Sequence, residues 1–161
     1  MYYMKDRNKI EKARELLLYI KKKYNLTTDE LKNLIEEVSF PAEIFNDKIT
    51  VLESVVKYLR EEKNFSLHNI SNFLKRDERN IWGIYNKSSK KYPKRFIVKE
   101  SEFEIPISIF DSKLSALESL AVYLHDKLNL KFSQIAILLH RDQRTIWTSY
   151  SRAKEKYAKQ R

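Results

Sequence analysis

The chain has 161 residues, of which 42% are hydrophobic and 34% are charged, and its net charge is +10. One glycine and no cysteine exclude phosphate-binding glycine loops, dinucleotide fingerprints, disulfides and cysteine zinc sites, and favour an all-α fold. The basic balance favours a polyanionic partner, nucleic acid before a membrane surface. Because no apolar run resembles a membrane span or a signal peptide, we expect a cytoplasmic, nucleoid-associated protein with no membrane partner.

Residues 1–39 are predicted to form a helical hairpin whose second helix is capped by Thr27 and Glu30. This segment also resembles a decayed copy of the repeat that follows it. At an offset of 39 residues, Tyr19-Ile20 and Asn25-Leu26-Thr27 align with Tyr58-Leu59 and Asn64-Phe65-Ser66. Two interpretations stay open: the hairpin packs on the next segment, or it forms a dimer interface. The chain is therefore expected to be a monomer or a dimer through residues 1–39.

An internal repeat organises the rest of the chain. Residues 40–92 align without a gap with residues 105–157, at a constant offset of 65, and twenty of the 53 pairs are identical. We therefore predict two tandem domains, at 40–92 and 105–161 with a basic tail, joined by a linker at 93–104 that has no helical period.

Each copy is predicted to contain three helices. The first helix begins at a capping box, Thr50 with Glu53 in one copy and Ser115 with Glu118 in the other. Apolar residues then follow at helical spacing. These are Ile49, Leu52, Val55, Val56 and Leu59 in the first copy and Leu114, Leu117, Leu120, Ala121, Leu124 and Leu128 in the second. The second, short helix follows Asn64 or Asn129; it carries Ile70, Phe73 and Leu74, or Ile135, Leu138 and Leu139.

The third helix of each copy is predicted to begin at Asp77 or Asp142, where a carboxylate caps the helix and complements its dipole. Pro93 ends this helix in the first copy. The predicted buried stripes are Ile81, Ile84 and Tyr85 in the first copy, and Ile146, Tyr150, Ala153 and Tyr157 in the second.

Only Lys75-Arg76 and His140-Arg141 separate the second helix from the third, which is the spacing of a helix-turn-helix. Residues 114–157 resemble the helix-turn-helix of bacterial sigma factor region four and of related response-regulator output domains. Ser133-Gln134-Ile135-Ala136-Ile137-Leu138-Leu139 is similar to their first motif helix. Arg141-Asp142-Gln143-Arg144-Thr145-Ile146-Trp147 is similar to the turn and recognition helix, in a form also found in transposase-type modules. This class usually has glycine at the turn, where Lys75 and His140 stand here.

The resemblance implies a recognition role for the third helices. Arg79 and Arg144 lie opposite the apolar stripe near the helix start, where arginine contacts guanine. Arg76 and Arg141 lie in the turns and are candidates for phosphate contacts. The full set of predicted DNA-binding residues is Lys75, Arg76, Arg79, Asn80, Asn86, Lys87, His140, Arg141, Gln143, Arg144, Thr145, Thr148, Ser151, Arg152 and Lys154.

The aromatic residues of the third helices are interpreted as packing residues rather than as base-stacking residues. Trp82 and Trp147 directly follow core isoleucines, and Tyr85, Tyr92, Tyr150 and Tyr157 are interpreted in the same way. His68, His125 and His140 lie on different elements without ligand spacing, so we expect no metal site and no cofactor. No nucleophile, base and acid converge by sequence, so the chain is not expected to be an enzyme.

The leading hypothesis is a double-stranded DNA-binding protein with two recognition helices, acting as a transcriptional regulator or a DNA-organising protein. One alternative is a sigma-like adaptor that binds a protein such as RNA polymerase. Another is an RNA-binding protein, which a continuous basic surface without a protruding helix favours.

Overall fold

A computed structural model of the chain describes residues 2–35 and 37–160. The described chain is mostly helical, as predicted, and it divides into two compact units, of which the first ends at Val38 and the second begins at Ser39. Among the described residues, none of the helices combines the length and the apolar character that crossing a membrane requires.

The first unit contains the predicted helical hairpin. Helix α1 spans Tyr2–Lys23 and helix α2 spans Thr28–Ile35. The predicted cap is present, since the Glu30 carboxylate accepts the Thr27 N–H at 2.7 Å and the Thr27 hydroxyl accepts the Glu30 N–H at 3.2 Å. Asn25, between the two helices, has a left-handed backbone with φ of 52°.

The first copy of the repeat opens with strand β1, Ser39–Pro41, which leads into a 3-10 turn at Ala42–Ile44. Three helices follow: α3 at Val51–Glu61, α4 at Leu67–Leu74 and α5 at Glu78–Lys91. Helix α3 packs against α5, and α4 packs across both. The linker after α5 carries no regular structure until residue 104, as its lack of period predicted.

The second copy repeats this order. Strand β2, Glu104–Pro106, leads into a 3-10 turn at Ile107–Ile109. Helix α6 spans Ala116–Val122 and continues as a π-helical turn at Tyr123–Lys127. Helix α7 spans Phe132–Leu139 and helix α8 spans Gln143–Ala158. Both strands, both 3-10 turns and the starts of all three helices are displaced by the predicted 65 residues.

The predicted capping boxes begin the first helix of each copy. Thr50 Oγ1 accepts the Glu53 N–H at 3.1 Å, and the Glu53 carboxylate accepts the Thr50 N–H at 2.8 Å. The same two bonds join Ser115 and Glu118, at 3.2 and 2.9 Å. Each box satisfies two backbone donors that a helix start leaves free.

A lysine near the end of each third helix reaches back to the capping glutamate. Lys91 Nζ lies 2.9 Å from Glu53 Oε1, and Lys156 Nζ lies 2.7 Å from Glu118 Oε2. Burial alone would raise the pKa of each glutamate, but the lysine and the capping bonds outweigh it and hold both pKa values below the ordinary range. The first and third helices of each copy are thus joined at this end by an ion pair.

Strands β1 and β2 pair with each other, which the sequence did not predict. They form an antiparallel ribbon in which Phe40 lies opposite Ile105, and both side chains are fully buried. Phe40 also stacks on Phe110, with ring centroids 5.8 Å apart. Helix α3 contacts α6 across the same junction, so the two copies share a core within the second unit.

The predicted buried stripes of the third helices are confirmed in part, since Ile84, Tyr85 and Tyr150 are half-buried. Ile81, Ile146 and Ala153 are buried, while the predicted core residue Tyr157 is 38% exposed. That prediction was wrong because α8 extends to Ala158, so its last turn continues beyond the part of α6 that could cover the ring.

Candidate nucleic-acid interface

The two turns that precede the third helices have the same backbone geometry. Lys75 and His140 end α4 and α7 in the left-handed conformation, with φ of 52° and 51°. The next N–H closes the turn in each copy: Arg76 N–H donates to Ser71 O at 3.0 Å and Arg141 N–H donates to Ala136 O at 2.9 Å. This is the bond pattern of a Schellman cap, which here forms without the usual glycine.

An aspartate begins each third helix immediately after the turn. The Asp77 carboxylate accepts the Arg79 N–H at 2.9 Å, and the Asp142 carboxylate accepts the Arg144 N–H at 2.8 Å. Each arginine is therefore the second residue of its helix, as predicted from the sequence. Both side chains are exposed, and no described residue forms a hydrogen bond or ion pair with either guanidinium. Each guanidinium thus keeps its five donors free for a ligand.

The fifteen predicted site residues divide by exposure. Ten are exposed: Lys75, Arg79, Asn80, Lys87, His140, Gln143, Arg144, Thr145, Arg152 and Lys154. Five are half-buried: Arg76, Asn86, Arg141, Thr148 and Ser151. Three positions share the outward side of each third helix, at three, four and seven residues after the arginine. They are Trp82, Gly83 and Asn86 in α5, and Trp147, Thr148 and Ser151 in α8.

The two tryptophans were missed as surface residues. Trp82 is 60% exposed and Trp147 is 56% exposed, so the interpretation of both as residues that pack against the first helix at the edge of the buried stripe was wrong. Each lies one residue, about 100° of helical rotation, past the buried Ile81 or Ile146. The signal was available in the spacing, because a tryptophan three residues after an outward arginine shares its face. Each copy therefore presents an arginine and a large apolar ring side by side.

Gly83, the chain's one glycine, lies on the outward side of α5. A Cβ added there meets no atom within 4 Å, so packing inside the protein does not require glycine at this position. Glycine in a helix interior costs about 1 kcal/mol relative to alanine. The equivalent residue in α8 is Thr148. The outward face of α8 therefore carries a side chain next to the tryptophan where the outward face of α5 carries none.

Arg141 has protein partners that the sequence did not predict. Its Nη1 donates to Asn46 O and its Nη2 donates to Ile49 O, each at 2.8 Å, in the loop that precedes α3. Nη1 also lies 2.9 Å from His140 O within its own turn. The guanidinium therefore joins the turn of the second copy to the first copy, which leaves it fewer donors for a phosphate.

Arg76, the repeat equivalent of Arg141, has a different environment. It is half-buried, and no described residue accepts a hydrogen bond from its side chain or pairs with it. Lys154 is also less available than its position predicted, because its Nζ is ion-paired with Asp126 and lies 5.1 Å from the centre of the Tyr150 ring. The hydrogen bond from Lys154 helps to hold the Asp126 pKa below its ordinary value, although burial opposes this.

Within residues 2–35 and 37–160, no three histidine, aspartate or glutamate side chains converge in a way that could hold a metal ion. His68 contacts Glu78 and Asn72, whereas His125 stacks on Phe132 and its Nδ1–H donates to Leu130 O at 2.8 Å. The histidines accordingly serve different local contacts.

Comparison with protein-family models, with curated proteins and with solved structures finds no match for this chain. The geometry of the two third helices and the charges around them therefore provide the evidence on function.

Proposed function

We propose that the two copies are helix-turn-helix units that bind duplex DNA through α5 and α8. One observation carries the proposal: an exposed arginine with no ion pair or side-chain hydrogen bond to the described residues follows the same left-handed turn and aspartate cap twice in one chain. An arginine without a protein partner at the start of a protruding helix is suited to bidentate hydrogen bonding with guanine in a major groove. Such a protein would regulate transcription or organise DNA.

The tryptophans and Gly83 extend the base-reading surface in this proposal. Trp82 and Trp147 offer apolar area beside the arginines, suited to a thymine methyl group, and neither indole N–H donates to a described residue. Gly83 leaves open space on the outward side of α5, which allows the helix backbone to approach a base pair closely. Thr148 would hold α8 slightly further from the groove.

In this proposal the phosphates are bound by cations whose side chains form no hydrogen bond or ion pair with the described residues. Lys75 and His140 occupy the exposed turn positions, and Lys87 and Arg152 occupy equivalent exposed positions further along the third helices. Arg76 joins this set because its guanidinium is unpaired among the described residues. Arg141 contributes to the geometry of its turn rather than to phosphate binding, because backbone carbonyls of the first copy hold it.

A protein partner is the second candidate function, and the exposed tryptophans favour it. Tryptophan and arginine are the residue types that dominate binding energy at protein interfaces. A sigma-like adaptor would use the same two faces against a polymerase subunit. The charge of +10 favours DNA, because neutralising phosphates releases counterions whereas a protein interface gains little from excess charge.

The test is a binding series with fluorescent random-sequence duplex DNA, single-stranded DNA and structured RNA, each titrated between 50 and 200 mM salt. We expect duplex DNA to bind best, with a logarithmic salt slope near −0.9 for each neutralised phosphate. The variant Arg79→Ala/Arg144→Ala should weaken duplex binding, whereas Lys94→Ala/Lys99→Ala, which removes two charges outside the third helices, should weaken it less. Equal losses, or tighter binding to RNA, would contradict the proposal.

A further inference from the structure

The register of the β1–β2 ribbon relates the two copies by a local two-fold axis. Phe40 pairs with Ile105, which is its own equivalent at the repeat offset of 65. Ser39 pairs with Pro106, the equivalent of Pro41, and Pro41 pairs with Glu104, the equivalent of Ser39. Exchanging the copies therefore maps the ribbon onto itself, and only a two-fold axis through the central pair does this.

Contacts outside the ribbon follow the same symmetry. Helix α4 of the first copy contacts the 3-10 turn at Ile107–Ile109, and helix α7 of the second copy contacts the 3-10 turn at Ala42–Ile44. Helices α3 and α6, which are equivalent, contact each other. The arrangement is the isologous interface of a two-fold dimer, formed inside a single chain.

The axis brings each helix-turn-helix close to the opposite copy. The Arg141 guanidinium, in the turn before α8, contacts Asn46 O and Ile49 O at 2.8 Å. Three residues later, Arg144 begins the outward face of α8. Arg141 thus ties the start of α8 to the first copy. The contacts of α4 and α7 with the opposite 3-10 turns, and of α3 with α6, hold the two helix-turn-helix units in one relative orientation.

We infer that the DNA target of this chain is a single duplex with two half-sites in inverted orientation, not a direct repeat. The inference rests on the proposed DNA-binding function. A duplex has its own two-fold axes perpendicular to the helix axis, so two recognition helices related by a two-fold meet equivalent groove surfaces on opposite strands. Tandem domains related by translation along the chain would instead meet half-sites of the same polarity.

The two half-sites are related but not identical. The outward faces share the arginine and tryptophan but differ at four neighbouring positions. The differing pairs are Glu78 and Gln143, Asn80 and Thr145, Gly83 and Thr148, and Asn86 and Ser151. The common contacts predict a shared base in both halves, and the differing ones predict unlike flanking bases. The site therefore has a direction, and the chain binds it in one orientation.

The test is selection of the full chain on a library of randomised duplex DNA, followed by sequencing of the bound fraction. The expected result is a motif of two inverted half-sites with a common core and unequal flanks, bound at one chain per duplex. A direct repeat, a lone half-site, or one chain joining two duplexes overturns the two-fold inference while leaving duplex binding intact. Failure to enrich any duplex overturns the proposed function itself, so the two failures are distinguishable.

A second measurement uses only the DNA, so it does not depend on the folding of a variant. The selected duplex is compared with one in which a single half-site is reversed in place. Reversal should weaken binding by about 100-fold, because the second unit then loses the advantage of its covalent connection. Binding that is unchanged by reversal contradicts the fixed two-fold arrangement. In the selected site, Arg79→Ala and Arg144→Ala should each relax base preference in a different half.

Discussion

Each copy of the repeat has a carboxylate at the equivalent position, and this carboxylate is ion-paired with a lysine from a different helix in each copy. Tyr85 donates to Glu61 at 3.3 Å in the first copy, and Tyr150 donates to Asp126, the equivalent of Glu61, at 2.9 Å in the second. Glu61 is ion-paired with Lys57, one turn earlier in α3. Asp126 is instead ion-paired with a lysine of the third helix, Lys154.

In each copy, the position equivalent to the other copy's lysine carries an uncharged residue. Val122 stands in the second copy where Lys57 stands in the first. Ser89 stands in the first copy where Lys154 stands in the second, and its buried hydroxyl has no hydrogen-bond partner among the described residues. A partly buried carboxylate requires a cation, but either helix can supply it. The exposure of the lysine differs with the helix that supplies it, since Lys57 is fully buried and Lys154 is 45% exposed.

The largest effect is expected when the buried lysine is removed. Lys57→Ala leaves Glu61 without its cation and opens a cavity beside Phe96, whose ring centre lies 5.6 Å from Lys57 Nζ. The free energy of unfolding should fall by about 2–4 kcal/mol. Lys154→Ala is the matched control and should lower it by less than about 1 kcal/mol, because its ion pair is solvent-exposed. Urea denaturation measures both, and equal losses would show that the two sites do not differ.

An exchange of the lysine within the first copy sharpens the comparison. Lys57→Val alone should be destabilising, and adding Ser89→Lys should restore part of the loss by giving Glu61 the arrangement that Asp126 has. A double-mutant cycle should give a favourable coupling of about 1–2 kcal/mol between the two positions. Additive effects would mean that the third-helix lysine cannot reach the carboxylate in the first copy.

The signals that predicted the helices are local, and the missed features depend on distant residues. Capping boxes, aspartate caps and Pro93 act within a few residues, so helix starts and ends followed from the sequence. A three-residue strand such as β1 has too few residues to show a period, and its partner lies 65 residues away. The Arg141 contacts are with backbone carbonyls more than ninety residues away, which carry no side-chain signature.

The exposure of Trp82 and Trp147 was missed for another reason. Size and apolar character predict burial on average, yet the position on the helix decides it in the individual case. The candidate site was therefore predicted where charge and repeat position agreed, as at Arg79 and Arg144, and was incomplete where the face carried apolar residues.

The smallest effect is expected at the capping glutamates Glu53 and Glu118, which are ion-paired with a third-helix lysine in both copies. Because Glu53 and Glu118 have pKa values below the ordinary value of 4.5, their contribution to stability is present above that value and is lost as the pH falls through the lower folded-state pKa. Glu53→Gln and Glu118→Gln should each flatten the acid limb of a stability-versus-pH curve, and by similar amounts. A clear difference between the effects of Glu53→Gln and Glu118→Gln on the acid limb would mean that the two copies also differ at the capping glutamate.

Because the β1–β2 ribbon forms within one chain, the pairing of the two copies does not depend on protein concentration. A two-fold dimer separates when it is diluted, and its stability depends on the amount of protein. Here both halves of the symmetric interface belong to one molecule, so the paired state persists at any dilution. In a homodimer every substitution also appears on both sides of the axis. In this chain each copy has its own residue at an equivalent position, as with Gly83 and Thr148, which allows a symmetric scaffold to carry two different surfaces.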